Sequence, residues 1–199
     1  MLDAIFDVSH HQGDVDFAAA QAAGMEAVII KCSQGLTNVD PRWMANSADA
    51  GLSGLLVGAY HFGTGEDGAA QADHFLAQKP TGLLVLDFEA NVGSEMTPME
   101  AQAFIRRIVA ETGIWPVLYA DRSHAELMGM DAQIVTSCPL WLAQYRAISM
   151  APTPPTGWRE IALWQYSEKG TVAGVSGACD RSAFLLDEPL EDWWIAHSH

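Results

Sequence analysis

The sequence predicts an α/β fold: an irregular TIM-type barrel, about (β/α)5(β)3, in a single domain. Short apolar runs alternate five times with helical patterns, which implies a parallel sheet with helices outside it. Three more strand-like runs follow with little helix between them, bringing the strands to eight, enough to close a barrel. A chain of 199 residues also suits one domain better than two. The rival is an open doubly wound sheet, which usually carries a glycine-rich phosphate loop after its first strand. Here the first strand runs into Ser9-His10-His11-Gln12-Gly13, which is no such loop.

The elements follow in order. Residues 4–8 form the first strand, and residues 15–23 an Ala-rich helix that stops at Gly24. The β-branched run 27–31 is the second strand. A helix over 41–50 follows Asp40 as N-cap, with Pro41 at its first position. Residues 55–62 are the third strand. The next helix, 66–78, places Ala72, Phe75 and Leu76 at i, i+3 and i+4. It opens on acidic residues and closes at Lys79-Pro80, as the helix dipole favours. Residues 83–88 are the fourth strand. Thr97-Pro98-Met99-Glu100 is a capping box whose helix runs to Thr112 and ends at Gly113. A fifth strand, 116–119, and a short helix, 123–128, complete the alternation. Residues 140–143, 161–165 and 178–184 are the last strands, and the Pro-rich stretch 147–158 is loop. From Pro189 a short helix is expected to dock Trp193 or Trp194 on the barrel; a small exposed apolar surface is the other reading of this tail. Residues 1–186 are thus the barrel and 187–199 the tail.

Composition excludes several classes of function. Apolar residues make up 49% of the chain and charged residues 18%, which is not the balance of a disordered protein. Ten Lys and Arg against 25 Asp and Glu leave a net charge of -15. Nucleic acid is therefore not an expected partner, since phosphate contacts need cations. No uncharged apolar run reaches 18 residues, so no membrane insertion is expected. Cys32, Cys138 and Cys179 include no CxxC pair and read as reduced, buried thiols. His10, His11 and His61 tempt a metal reading, but a catalytic zinc needs about three convergent ligands, and neither metal nor cofactor is expected.

Carboxylates gather at the strand ends. Asp7 ends the first strand, Asp87 and Glu89 the fourth, and Asp180 opens the last. Residues i and i+2 of a strand share a face, so Asp87 and Glu89 point one way and Phe88 the other, toward the helices. Two acids in a poorly solvated site cannot both ionise freely, so one holds its proton to higher pH. A general acid working near neutral pH needs that property. The plain alternative is an Asp-x-Glu that caps a loop and faces water.

These residues sit in a recurring pattern. Asp7-Val8-Ser9-His10-His11-Gln12-Gly13, with Val15-Asp16-Phe17, resembles the start of glycoside hydrolase family 25, the Chalaropsis-type lysozymes. Val28-Ile29-Ile30-Lys31, then Gly58-Ala59-Tyr60-His61-Phe62 with Gln71-Ala72 and Phe75, are similar to its second and third strands. Leu86-Asp87-Phe88-Glu89 resembles its Asp-x-Glu. Leu140-Trp141-Leu142-Ala143 with Tyr145, and Trp164-Gln165-Tyr166-Ser167 with Gly170, Val172, Gly174 and Asp180, resemble its later motifs.

The resemblance implies a muramidase that cleaves the β-1,4 bond between N-acetylmuramic acid and N-acetylglucosamine. Its partner would be the glycan strands of bacterial peptidoglycan, met by a monomer. Glu89 would protonate the leaving oxygen, Asp87 would orient the 2-acetamido group, and Asp7 and Asp180 would complete the acidic pocket. Attack by that group's carbonyl would give retention without a protein nucleophile, an exception to the two-carboxylate scheme; inversion stays open.

Aromatic rings can stack on sugar faces or simply fill the core. Tyr60, Trp141 and Tyr145 are the first choices for the cleft, with Phe62, Tyr119, Gln165 and Lys31 beside them. Lys31 is expected to pair with a barrel carboxylate. Where the family commonly has Thr-Glu-Gly, this chain has Ser33-Gln34-Gly35, and Gln34 cannot ionise. The N-terminus lacks the basic start and apolar run of a secretory signal. The expectation is an endolysin-like domain of phage or prophage type, made in the cytoplasm and acting in the periplasm or cell wall after holin-type release. A non-catalytic peptidoglycan-binding or phage-particle protein on the same barrel, and a glucosaminidase or chitinase, are the rival functions.

Overall fold

The computed structural model describes all 199 residues. Nine strands form one sheet: β1 (Leu2–Val8), β2 (Ala27–Gln34), β3 (Asn38–Val39), β4 (Leu56–Phe62), β5 (Leu83–Asp87), β6 (Val117–Asp121), β7 (Leu140–Ala143), β8 (Leu163–Gly170) and β9 (Cys179–Phe184). Their order is β1-β9-β8-β7-β6-β5-β4-β2-β3, and a further pairing of β1 with β2 closes eight of them into a barrel. β3 only folds back on the end of β2. Around the ring the pairings are parallel, except that β9 runs antiparallel to both β1 and β8. The irregular (β/α)5(β)3 barrel is therefore present.

The helices are α1 (Phe17–Ala22), α2 (Trp43–Leu52), α3 (Gly68–Ala77), α4 (Pro98–Thr112), α5 (Arg122–Met128), α6 (Ala132–Ser137) and α7 (Leu190–Ala196). None is long and apolar enough to cross a membrane. The capping box at Thr97 forms in full, with the Thr97 hydroxyl accepting from Glu100 N and Gly113 ending the helix at φ 74°.

Three local readings are corrected. α2 begins at Trp43, not at Pro41. Asp40 caps a preceding turn instead, its Oδ1 accepting from Arg42 N while its Oδ2 binds the His10 backbone and ring. α6 was not expected. It buries only Ile134, so it leaves no apolar period, yet Asp131 caps it by accepting from Gln133 N and Ile134 N. β8 starts two residues later than expected and runs on to Gly170. Its Ser167-Glu168-Lys169 segment projects as one arm of a ladder with β9, where hydropathy no longer marks a strand.

Strand alternation splits the apolar residues into two cores. Phe6, Val28, Ile30, Leu84, Leu86 and Phe88 face outward and pack with Phe17, Trp43, Phe75 and Phe104 of the helices. Ile5, Ile29, Val85, Val117, Leu163 and Phe184 fill the barrel interior, where they meet Leu190, Trp193 and Trp194 of α7. α7 therefore plugs the end of the barrel where the parallel strands begin. Trp194 Nε1 donates to Val57 O at 3.1 Å, and His199 and Gly82 exchange backbone hydrogen bonds. Gly82 is required there: it sits at φ +76°, and a Cβ would stand 1.8 Å from Val57 O. Replacing Trp194 with Phe strands the Val57 carbonyl and leaves a void. We expect a loss of about 2 kcal/mol, read by denaturant unfolding.

A buried polar network runs behind the open end. His61 lies between Ser33 Oγ (2.9 Å from Nδ1) and Gln71 Oε1 (3.2 Å from Nε2) and stacks on Phe104. Gln71 Nε2 donates to the carbonyls of Thr64 and Glu66. Burial lowers the His61 pKa to about 4. The unfolded chain thus takes up a proton near pH 6.5 that the folded chain refuses until about pH 4. This stabilising contribution is complete above about pH 6.5 and is lost as pH falls toward 4. The stability gap between wild type and a His61→Gln variant should shrink by about 3 kcal/mol from pH 7 to pH 4. A gap that does not move with pH would show that His61 does not titrate in this way.

Candidate active site

With α7 across one end, the strand C-termini form a mouth at the other, and the acids converge there. Asp7 and Asp180 are direct cross-strand partners in the β1–β9 ladder. Asp87 ends β5 beside Phe62 of β4 and Tyr119 of β6. Glu89 follows two residues later on the same side, while Phe88 is fully buried on the helix side. Asp7, Asp87, Glu89 and Asp180 line one cavity of about 230 Å³. Lys31, Tyr60, Phe62, Tyr119, Trp141 and Gln165 line it too.

Gln165 organises the mouth. Its Nε2 lies 3.1 and 3.3 Å from the two Asp7 oxygens and 3.4 Å from Asp180 Oδ2. Its Oε1 accepts from Tyr119 OH at 2.9 Å and from Tyr145 OH at 3.1 Å. One neutral amide therefore bridges two opposed acids and orients two phenols. Tyr145 itself stands outside the cavity wall, 52% exposed, and reaches the site through that hydrogen bond. Trp141 is almost wholly buried, with Nε1 bonded to Ser182 Oγ and its ring edge-on to Tyr119.

The expected ion pair of Lys31 is absent. Its Nζ donates to Gln34 Oε1 at 2.8 Å and lies 4.9 Å from the Phe62 ring centroid. No carboxylate oxygen comes within 4.0 Å of it. The amide of Gln34, three residues along the same strand, captures the ammonium before it can reach across the mouth. Burial lowers the Lys31 pKa, against the pull of Asp87, Asp40 and Glu89.

The electrostatics favour protonated acids. Burial first, then the Asp180 charge, raises the Asp7 pKa well above the ordinary value. Burial and then Glu89 do the same to Asp87, with Lys31 pulling the other way. Asp87 Oδ1 is buried without any hydrogen-bond partner. Glu89 is raised by burial and by Asp121, and drawn down by His124. Asp180 is also raised, chiefly by burial. This mouth can hold a proton on one acid beside an ionised neighbour.

Sequence reasoning missed four contributors. Ser9 and His11 line the cavity. The i, i+2 rule applied to Asp7 would have found Ser9; nothing periodic marks His11, which a short 3-10 turn places there. Asp121 and His124 act on Glu89 from the end of β6 and the start of α5. No group of three or more His, Cys, Asp or Glu side chains is arranged to hold a metal ion, and the three cysteines are free and buried.

Comparison with known proteins places this chain in a family. The family model for glycosyl hydrolases family 25 matches residues 6–175, taking in the first three carboxylates. The chain is 34% identical over 196 residues to lysozyme M1 of Streptomyces globisporus, covering 89% of this chain and 66% of that one. It is 34% identical over 200 residues to the N,O-diacetylmuramidase of Chalaropsis sp., covering 88% and 94%. The crystal structure of the bacterial lysozyme from Streptomyces coelicolor superposes with a TM-score of 0.85 at 31% identity, over 96% of this chain and 95% of that one. Sequence motifs, barrel and match agree, and the chain belongs to glycosyl hydrolases family 25.

Proposed function

We propose that the protein is a peptidoglycan muramidase in which Glu89 is the general acid and Asp87 its partner. The observation that carries this reading is the Asp87-Phe88-Glu89 alternation at the end of β5. It delivers two carboxyls into one partly desolvated cavity, with two further acids opposite. Glu89, with its raised proton affinity and partial exposure, gives its proton to the bridging oxygen as the glycosidic bond breaks; water supplies the new oxygen at the anomeric carbon, and its proton restores Glu89. Asp87, deeper in the cavity wall, accepts a hydrogen bond from the 2-acetamido N–H and offsets positive charge developing at the sugar. Asp7 and Asp180 are tied together by Gln165, and Asp180 helps keep Glu89 protonated. Tyr60, Phe62 and Tyr119 supply walls for the sugar ring, and Lys31 supplies a single cation beside them. The place of action is the bacterial wall, reached after release from the cytoplasm.

The test is digestion of purified peptidoglycan, borohydride reduction and mass spectrometry of the soluble products. Reduced muramic acid at the new ends is the expected result. Reduced N-acetylglucosamine would make the enzyme a glucosaminidase, and no soluble product from folded protein would leave only a binding role.

A further inference from the structure

We propose that His124 is a positioning residue for Glu89: its imidazole clasps the loop between β5 and α4 to the start of α5, and so sets where the Glu89 carboxyl stands. The inference rests on the reading of Glu89 as the acid. Glu89 lies on no regular element, since β5 ends at Asp87 and α4 begins at Pro98. Something outside the strand must therefore hold it. His124 touches that loop on both sides of Glu89. Before it, the Phe88 ring meets the imidazole edge-on at 5.0 Å. After it, Glu95 Oε1 lies 3.2 Å from His124 Nε2.

The other end of the clasp is fixed. Asp121 caps α5, its Oδ1 accepting from His124 N at 3.0 Å while its Oδ2 lies 2.9 Å from His124 Nδ1. The β6–α5 junction thus carries the loop at a set distance. Other tethers act beside it: Tyr119 hydrogen-bonds the Glu89 side chain, and buried Met96 anchors the far end of the loop. Phe88 N to Tyr119 O holds only the start of the loop, and Gly65 N to Ser94 O holds only its far turn.

The clasp is also a charge device. Both ring nitrogens face carboxylates. A neutral imidazole has one N–H and can donate to one of them, whereas an imidazolium donates to both. The acids facing His124 are Asp121 from β6 and Glu95 and Glu89 from the loop; on α5, Arg122 and Glu126 pair with each other at 3.8 Å. His124 draws the Glu89 proton affinity down, while Asp121 raises it. His124 therefore sets both the place and the proton affinity of the acid.

The test compares three full-length variants on soluble peptidoglycan fragments, with kcat, KM and the pH profile of each. His124→Gln should lower kcat about 10-fold with KM within about twofold, because misplacing a group near the chemistry affects the transition state most. It should also move the basic limb of the profile to higher pH, since the side chain that draws down the Glu89 proton affinity is gone. Glu95→Ala breaks the clasp at an exposed side chain and so serves if His124→Gln folds poorly. It should lower kcat similarly and leave the basic limb in place. The double variant should be no slower than His124→Gln, because both changes open one clasp. Wild-type kcat in Glu95→Ala, or losses that multiply in the double variant, would overturn the proposal. An inactive wild type would instead overturn the muramidase reading.

Discussion

Glu89→Gln is expected to abolish nearly all release of muropeptides while the protein stays folded. Loss of a general acid costs about 10²–10⁴-fold in rate. The amide keeps the shape of the carboxyl, so substrate can still enter the mouth beside Tyr119 and Asp87. What it lacks is a proton to give. Burial and the nearby Asp121 charge make the native carboxyl costly to ionise, and glutamine avoids that cost. The melting temperature should therefore stay level or rise slightly. Initial rates of product release together with a thermal melt check both halves. A variant with wild-type rates would remove Glu89 from the mechanism. In the native enzyme, activity should persist above the usual carboxylate range and fall once Glu89 loses its proton.

Asp87→Asn is expected to separate activity from stability. Removing one group that offsets charge in the transition state costs about 10²–10³-fold. The fold should gain at neutral pH. Asp87 is buried, has an oxygen with no partner and faces Glu89, so its pKa stands well above the ordinary value. The folded chain then binds a proton that the unfolded chain has already released, and stability falls as pH rises through that window. Asparagine carries no such dependence. The variant should match the wild type near pH 4 and exceed it at pH 7 and above, as read by denaturant unfolding across pH. Wild-type catalysis in this variant would show that Asp87 does not touch the reacting sugar.

Much of this architecture was legible locally. The alternation of β5, carried two residues past its end at Asp87, separates Asp87 and Glu89 from Phe88, and the Thr97 box and Gly113 mark both ends of α4. The missed elements are those with little apolar pattern: α6 buries one side chain, and the outer half of β8 is polar. The false pairing of Lys31 has a different origin. From sequence, every carboxylate at the mouth is an equal candidate, and only the rotamers and register of β2 show Gln34 capturing the ammonium.

The sequence by itself determined the strands, their inward faces and the acids that end them, because side-chain direction along a strand follows from backbone geometry alone. Only the tertiary structure decided that Asp7 stands opposite Asp180, that Gln165 bridges them across 158 and 15 positions of chain, that α7 plugs the far end, and that His124 reaches the loop of Glu89. Those relations depend on barrel closure and on competition among polar partners. Neither leaves a periodic trace in the order of residues.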